Sequence, residues 1–330
     1  MGMKFSSQMN SKKKKVFLAG HNGMVGKALL KSLQRQENIE ILTVDKKKLD
    51  LRNQEKVNNF FQINKIDEVY LAAAKVGGIN SNNSYPADFL YQNLLIELNV
   101  IEAAHRNGIE KLLFLGSSCI YPRDCKQPIK ESYLLSGYLE PTNESYAIAK
   151  IAGLKFCESL NRQFGLDYRS VMPTNLYGPY DNFNLENAHV IPALLRKIHE
   201  AKENKHENVV IWGSGKPKRE FLYVNEMAEA SMHIMNLDKN VFENLNFKCS
   251  HINVGSGKDL SILETAKLIA KVVGYEGKFT FDKSYEDGTP KKLLDVSLIN
   301  SLGWYSKISL EDGLNKTYEW FKENINSLKK

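Results

Sequence analysis

The run Lys14-Lys15-Val16-Phe17-Leu18-Ala19-Gly20-His21-Asn22-Gly23-Met24-Val25-Gly26, KKVFLAGHNGMVG, decides the fold. Its first part reads as a buried strand, an unbroken apolar run between lysines and a glycine. Glycines then recur at every third position, and KALLKSLQRQ continues as a helix. Glycine allows a tight turn and close approach of a ligand to the backbone. The helix start offers free N–H groups and a partial positive charge, which suit a pyrophosphate. Strand, glycine turn and helix in that order point to a dinucleotide held by Gly20, His21, Asn22, Gly23, Met24, Val25 and Gly26.

Working outward, IEILTVD is a second strand and QEKVNNFFQIN a helix. DEVYLAAA is a third strand, YQNLLIELNVIEAAHRNG a long helix and KLLFLGSS a fourth strand. YAIAKIAGLKFCESLNRQFG is helical, and DYRSVMPTNLYG is a strand followed by a loop. This alternation predicts an α/β fold, a Rossmann-type doubly wound parallel sheet with right-handed crossovers, over residues 15–180. Beyond that, loops rich in Asn, Gly and Pro separate short elements. Residues 181–330 are expected to form a smaller C-terminal α/β substrate lobe, with some segments returning to the first domain. Residues 1–14 are expected to form a flexible basic lead.

The chain has 330 residues, room for two domains. Hydrophobic residues make up 42% and charged residues 25%, as in an ordinary globular protein. There is no long uncharged apolar run, so no membrane span is expected. The start MGMKFSSQMNSKKKKVF lacks the apolar centre of a signal peptide and matches the myristoylation pattern only weakly. The net charge of +7 comes largely from Lys12 to Lys15 and from Lys329-Lys330. No basic stripe with interleaved aromatics accompanies it, so no nucleic-acid partner is expected. Cys119, Cys125, Cys157 and Cys249 form neither a C-x-x-C pair nor a zinc pattern. They read as free thiols of a cytoplasmic protein, with no metal site.

Two further features carry chemistry. Asp45 ends the second strand, where an acidic side chain holds ribose hydroxyls and repels a 2′-phosphate. Lys46, Lys47 and Lys48 follow and offer that phosphate positive charge, so NADP(H) and NAD(H) both stay open. In ESYAIAK, Tyr146 and Lys150 stand four apart, on one face of a helix. An ammonium beside a phenol favours the phenolate, so Tyr146 is expected to have a lowered pKa and to act as a proton donor. The plainer reading is an amphipathic tyrosine with a surface lysine.

Glycine turn, SSCIYP after the fourth strand and Y-x-x-x-K on the next helix come in the order of the extended short-chain dehydrogenase/reductases. AAAKVGGI, FLGSSCIYP, EPTNESYAIAKIAG, RSVMPTNLYGPYDNF, HVIPALLRK, VVIWGSGKPKREFLYV and DGTPKKLLDV together resemble the GDP-L-fucose synthase family. The resemblance covers nearly the whole chain after Lys15. It implies 3,5-epimerisation and NADPH-dependent 4-reduction of GDP-4-keto-6-deoxy-D-mannose by a homodimer. It makes Tyr146 and Lys150 the reductase pair, with Ser117 as partner, and Cys119 and His189 the epimerisation pair. Pro173, Thr174, Asn175 and Leu176 would border the nicotinamide, with His189 close by. Lys197, Trp212, Arg219 and Asp287 would line the GDP-sugar site. Asn22 and Val44-Asp45 depart from the basic residues the family often carries there.

Other readings stay beside these. Ser118 rivals Ser117. Trp212 either stacks on guanine or packs in the lobe core, and Asp287 either meets the substrate or caps the DGTP turn. Lys197 and Arg219 are either phosphate contacts or surface cations. A GDP-colitose-type synthase would keep the fold and change the sugar. A non-catalytic dinucleotide-binding regulator would need none of Ser117, Tyr146 and Lys150.

Overall fold

A computed structural model describes residues 13–244, 251–285 and 287–328. Cys249, the basic lead up to Lys12 and the closing lysines lie outside the described residues. β1 (Lys14–Ala19) buries Val16, Phe17, Leu18 and Ala19, because helices cover both of its faces; this is why its apolar run is continuous rather than alternating. After it come α1 (Met24–Leu33), β2 (Ile39–Leu42), α2 (Gln54–Asn64), β3 (Glu68–Leu71), α3 (Ile79–Ser84) and α4 (Pro86–Arg106). β4 (Lys111–Leu115), α5 (Glu144–Phe164) and β5 (Asp167–Pro173) complete the first part. Local chemistry sets the helix ends. Asn53 caps α2 by accepting from Lys56 N at 2.9 Å. Pro86 opens α4, where its missing N–H is not needed. Gly165, in the left-handed region, closes α5.

The second part runs β6 (Asn175–Tyr177), α6 (Val190–Glu203), β7 (Asn208–Trp212), β8 (Lys218–Tyr223), α7 (Val224–Asn236) and α8 (Lys239–Glu243). It continues with β9 (His251–Val254), β10 (Asp259–Ser261), α9 (Ile262–Val273), β11 (Lys278–Asp282), β12 (Lys291–Lys292), α10 (Ser297–Ser301) and α11 (Leu310–Leu328).

Six parallel strands form the central sheet in the order β2-β1-β3-β4-β5-β9. α2, α4 and α5 pack one face through Val57, Phe61, Val100, Ile101 and Leu154. α1, α7 and α10 pack the other through Leu29, Leu33, Met227, Ile234 and Ile299. This is the doubly wound parallel sheet. Strand order reverses between β1 and β3, and the carboxyl ends of those strands open a crevice there.

The lobe has a core of its own, where α6, α9 and α11 meet β7 and β8 around Leu195, Ile198, Ile211, Ile269 and Phe321. Residues Asn175–Tyr177, which the sequence suggests as loop, form β6, a short strand parallel to β8. β9 lies beyond residue 181 yet pairs with β5 in the central sheet. Among the described residues no helix is long and apolar enough to cross a membrane.

Candidate active site

A cleft of about 930 Å³ opens at the carboxyl ends of the sheet strands and runs to the lobe. The glycine turn forms one wall. Gly20 has φ +91°, and a Cβ there would stand 2.6 Å from Ala73 N, just past β3. A Cβ on Gly26 would strike the Gly20 carbonyl oxygen. The turn is thus bare backbone at the start of α1, a cradle a side chain would fill and a pyrophosphate can use. All seven residues from Gly20 to Gly26 line the cleft, as do Lys46 and Pro173, Thr174, Asn175 and Leu176. These residues fit a dinucleotide. Asp45 is not on the lining; Asn22 Nδ2 donates to its carboxylate at 2.7 Å, and His21 Nε2 lies 3.5 Å away.

Tyr146 stands in the first turn of α5, half-buried, edge-on to Phe89 with ring centroids 6.3 Å apart. Lys150 Nζ sits 5.8 Å from the centre of its ring. The expected lowering of the tyrosine pKa is not what the surroundings produce. Burial raises it, charge on Cys119 and Glu97 raises it further, and only the hydrogen bond with Ser117 opposes them. The reason lies one layer deeper. The Lys150 ammonium is itself buried, 2.8 Å from the Glu97 carboxylate and 2.9 Å from the Leu115 carbonyl oxygen. Its charge is balanced before it can act on the phenol.

Ser117 and Ser118 both line the cleft, but Ser118 is buried and Ser117 is the one that bonds Tyr146. Ser117 Oγ also accepts from Cys119 N at 3.2 Å, fixing the turn that carries the thiol. Asn143 Nδ2 donates to Cys119 Sγ at 3.3 Å, and Lys292 Nζ lies 3.6 Å from the same sulfur. His189 is the N-cap residue of α6 and borders the cleft. It is open to solvent on one side, yet the protein crowds it enough that desolvation lowers its imidazole pKa. Ser117, Cys119, Tyr146, Lys150 and His189 therefore share one cavity.

The four candidate sugar-nucleotide residues divide. Arg219 lines the cleft and is anchored there, Nη1 donating to the Thr289 carbonyl oxygen at 2.6 Å. Lys197, Trp212 and Asp287 are off that lining and form a neighbouring cluster. Lys197 Nζ sits 4.2 Å from the Trp212 ring centre, so it is no isolated surface cation. Trp212 is 46% exposed and stacks on Tyr285 at 4.3 Å, so it is not part of the lobe core. Asp287 accepts from Ser214 N at 2.9 Å and Ser214 Oγ at 2.5 Å, so it holds the turn at Ser214 rather than its own DGTP turn. Gly288, next in the chain, returns to the cleft.

Sequence reasoning missed Asn143, Lys292, Tyr285 and Glu97. Asn143 ends the turn before α5, but nothing in EPTN says that it folds back on Cys119. Lys292 comes from 173 residues away. Among the described residues no group of three or more His, Cys, Asp or Glu is arranged to hold a metal.

Residues 16–255 match the NAD dependent epimerase/dehydratase family. The chain is 60% identical to GDP-L-fucose synthase of Escherichia coli K12 over 313 residues, 94% of this chain and 98% of that protein. It is 40% identical to GDP-L-colitose synthase of Yersinia pseudotuberculosis, over 95% of this chain and 99% of that one. Among solved structures, MlghC, a GDP-mannoheptose C4 reductase from Campylobacter jejuni with NADP bound, superposes with a TM-score of 0.85 at 38% identity. That match covers 94% of this chain and 99% of the other.

Proposed function

The chain belongs to the NAD dependent epimerase/dehydratase family and, within it, to the GDP-L-fucose synthases, and from this premise we propose that it converts GDP-4-keto-6-deoxy-D-mannose into GDP-L-fucose. The work is a 3,5-epimerisation followed by an NADPH-dependent reduction at C4. The observation that carries the reading is that a thiol and an imidazole share one cleft with a serine, a tyrosine and a lysine. Reduction alone needs only the last three.

The glycine turn, Lys46, Lys150 and the residues from Pro173 to Leu176 would hold NADP(H), which when bound supplies the hydride. The C4 carbonyl acidifies the C–H bonds at C3 and C5, because their carbanions are enolates. Cys119 takes a proton from the ring as a thiolate, the form that acts as a base. His189, on the cleft lining, returns a proton to the opposite face. In the reduction, Tyr146 gives its proton to the C4 oxygen as charge develops there, and Ser117 donates a hydrogen bond to the same oxygen. A phenol with a raised pKa is fully protonated at neutral pH, which is the form a proton donor needs.

Arg219 meets the diphosphate with the part of its guanidinium that Thr289 does not occupy. The Trp212–Tyr285 stack lies where the lobe borders the cleft and suits the guanine base. On this reading the enzyme is a cytoplasmic homodimer joined through α4 and α5, which expose Tyr91, Leu98 and Ile148.

The test is to supply GDP-4-keto-6-deoxy-D-mannose with NADPH and to identify the product by NMR. GDP-L-fucose is expected. A product that keeps the original C3 and C5 configuration removes the epimerase half. Faster turnover of the 3-deoxy keto sugar assigns the chain to the colitose branch instead.

A further inference from the structure

Behind the tyrosine and lysine, on the side away from the substrate, lies an acid that the chemistry above does not use. Glu97 projects from the middle of α4 and is fully buried. Its carboxylate oxygens meet no donor among the described residues except the Lys150 ammonium, 2.8 Å away. Space for it is built into α5. A Cβ on Gly153 would lie 2.7 Å from Glu97 Oε2 and 2.6 Å from the Phe114 ring, so α5 carries no side chain where the acid reaches across.

We propose that Glu97 is the positioning residue of the reductase site: it holds the Lys150 ammonium by its charge and directs one N–H of that ammonium into the cleft. An ammonium has three N–H donors. The Leu115 carbonyl oxygen takes one of them, and the Glu97 carboxylate holds the ammonium from the interior by charge, which leaves a donor for the ribose side of the cleft. The inference rests on the reading of Tyr146 and Lys150 given above.

Among the described residues the charged and titratable groups around the pair are few, and burial raises the pKa of Glu97 itself while Lys150 opposes that rise. α5 contributes Lys150, Tyr146 and the Cys157 thiol, whose pKa burial and Glu97 both raise. β4 contributes only the Phe114 ring, 4.8 Å from Lys150 Nζ, and the Leu115 carbonyl. The turn after β4 adds Cys119, which acts on Tyr146. Without Glu97, a buried ammonium has no counter-charge and gives up its proton at lower pH. Removing Glu97 also removes a charge that opposes ionisation of Tyr146. Both changes shift the alkaline side of the activity profile the same way. A packing role for Glu97 would instead lower activity by the same factor at every pH.

The experiment follows kcat for NADPH-dependent reduction of the keto sugar against pH in the full chain. Glu97→Gln keeps the shape and loses the charge; its alkaline limb is expected to move down by roughly one pH unit or more. Glu97→Asp keeps the charge and is expected to restore most of the parent profile. A folded Glu97→Gln variant with an unmoved limb overturns the proposal. Should Glu97→Gln not fold, the double variant Lys150→Met/Glu97→Gln removes both buried charges. It is expected to have the same residual kcat as Lys150→Met, because Glu97 acts through Lys150, and a further loss overturns the proposal. A parent chain that does not reduce the keto sugar brings down the reading of the site itself. A parent that does so, beside variants with unmoved limbs, brings down the role of Glu97 alone.

Discussion

Asn22 Nδ2 donates to the Asp45 carboxylate at 2.7 Å, tying the glycine turn to the end of β2. The acid that would accept ribose hydroxyls is thus already engaged, while Lys46 faces the cleft. NADPH is expected to be preferred over NADH, by a smaller margin than in a chain with arginine in place of Asn22. Asn22→Arg should raise kcat/KM for NADPH by on the order of tenfold, since a charged hydrogen bond contributes about 1.5–3 kcal/mol. NADH should gain little. An unchanged ratio of the two kcat/KM values would show that Lys46 alone sets the preference.

Cys119→Ser should separate the two chemistries. A hydroxyl is a far weaker acid than a thiol, so the base is lost while Ser117, Tyr146 and Lys150 stay assembled. In D₂O the parent chain should exchange deuterium into C3 and C5 before reduction. The variant should lose that exchange and slowly reduce the unepimerised ketone. Lys292→Met, which removes the cation 3.6 Å from the sulfur, should slow exchange more than it slows reduction. Parent-like exchange in Cys119→Ser would make the thiol structural.

Arg219→Ala should raise KM for the GDP-sugar and leave kcat nearly unchanged. The loss of a charge-assisted contact corresponds to about 1.5–3 kcal/mol, roughly a tenfold to hundredfold rise in KM. Arg219→Lys should recover part of it, keeping charge without the planar fork. Steady-state kinetics at saturating NADPH give both values, and an unaltered KM would remove Arg219 from the diphosphate site.

Asp181 gives a pH-dependent stability. It is 8% exposed, its Oδ2 has no hydrogen-bond partner among the described residues, and burial pushes its carboxyl pKa up from 3.8 to about 7. The folded chain therefore binds more protons than the unfolded chain between these values, and stability falls as pH rises through that window. Asp181→Asn should abolish the decline. It should be more stable than the parent by roughly 1–4 kcal/mol at pH 8 and equal to it at pH 4. Urea melts at the two pH values decide, and parallel curves would show that Asp181 is paired in solution.

What the sequence revealed depended on the distance over which each feature is set. β1, the glycine turn and α1 are contiguous, and their apolar run and glycine spacing suffice to place them. Tyr146 and Lys150 share one helix, so their common face follows from helical geometry. Their electrostatics did not follow, because burial raises the Tyr146 pKa, and Cys119 and Glu97, the latter from another helix, raise it further. Lys292 meets Cys119 only through tertiary folding, and a lysine in PKKLLDV looks like any other. Trp212 was open between core and surface because β7 alternates; Val209 and Ile211 are buried, while Val210 and Trp212 face outward. Asn175–Tyr177 reads as loop after the proline at 173, and only its partner β8 makes it a strand.

The place of β9 has a consequence for synthesis of the chain. It is the last strand of the central sheet, and α7, which covers the sheet beside α1, also comes late in the sequence. A nascent chain that has emerged only to Tyr180 has β5 as a bare edge and lacks Met227 and Ile234 from one face of its sheet. Unpaired strand edges and uncovered apolar faces are templates for mispairing with other chains. The dinucleotide half is therefore not a module that can mature first and wait for its lobe. Completion of the two is one event, gated by translation past α10 and α11, and a fragment ending at Tyr180 should aggregate rather than fold.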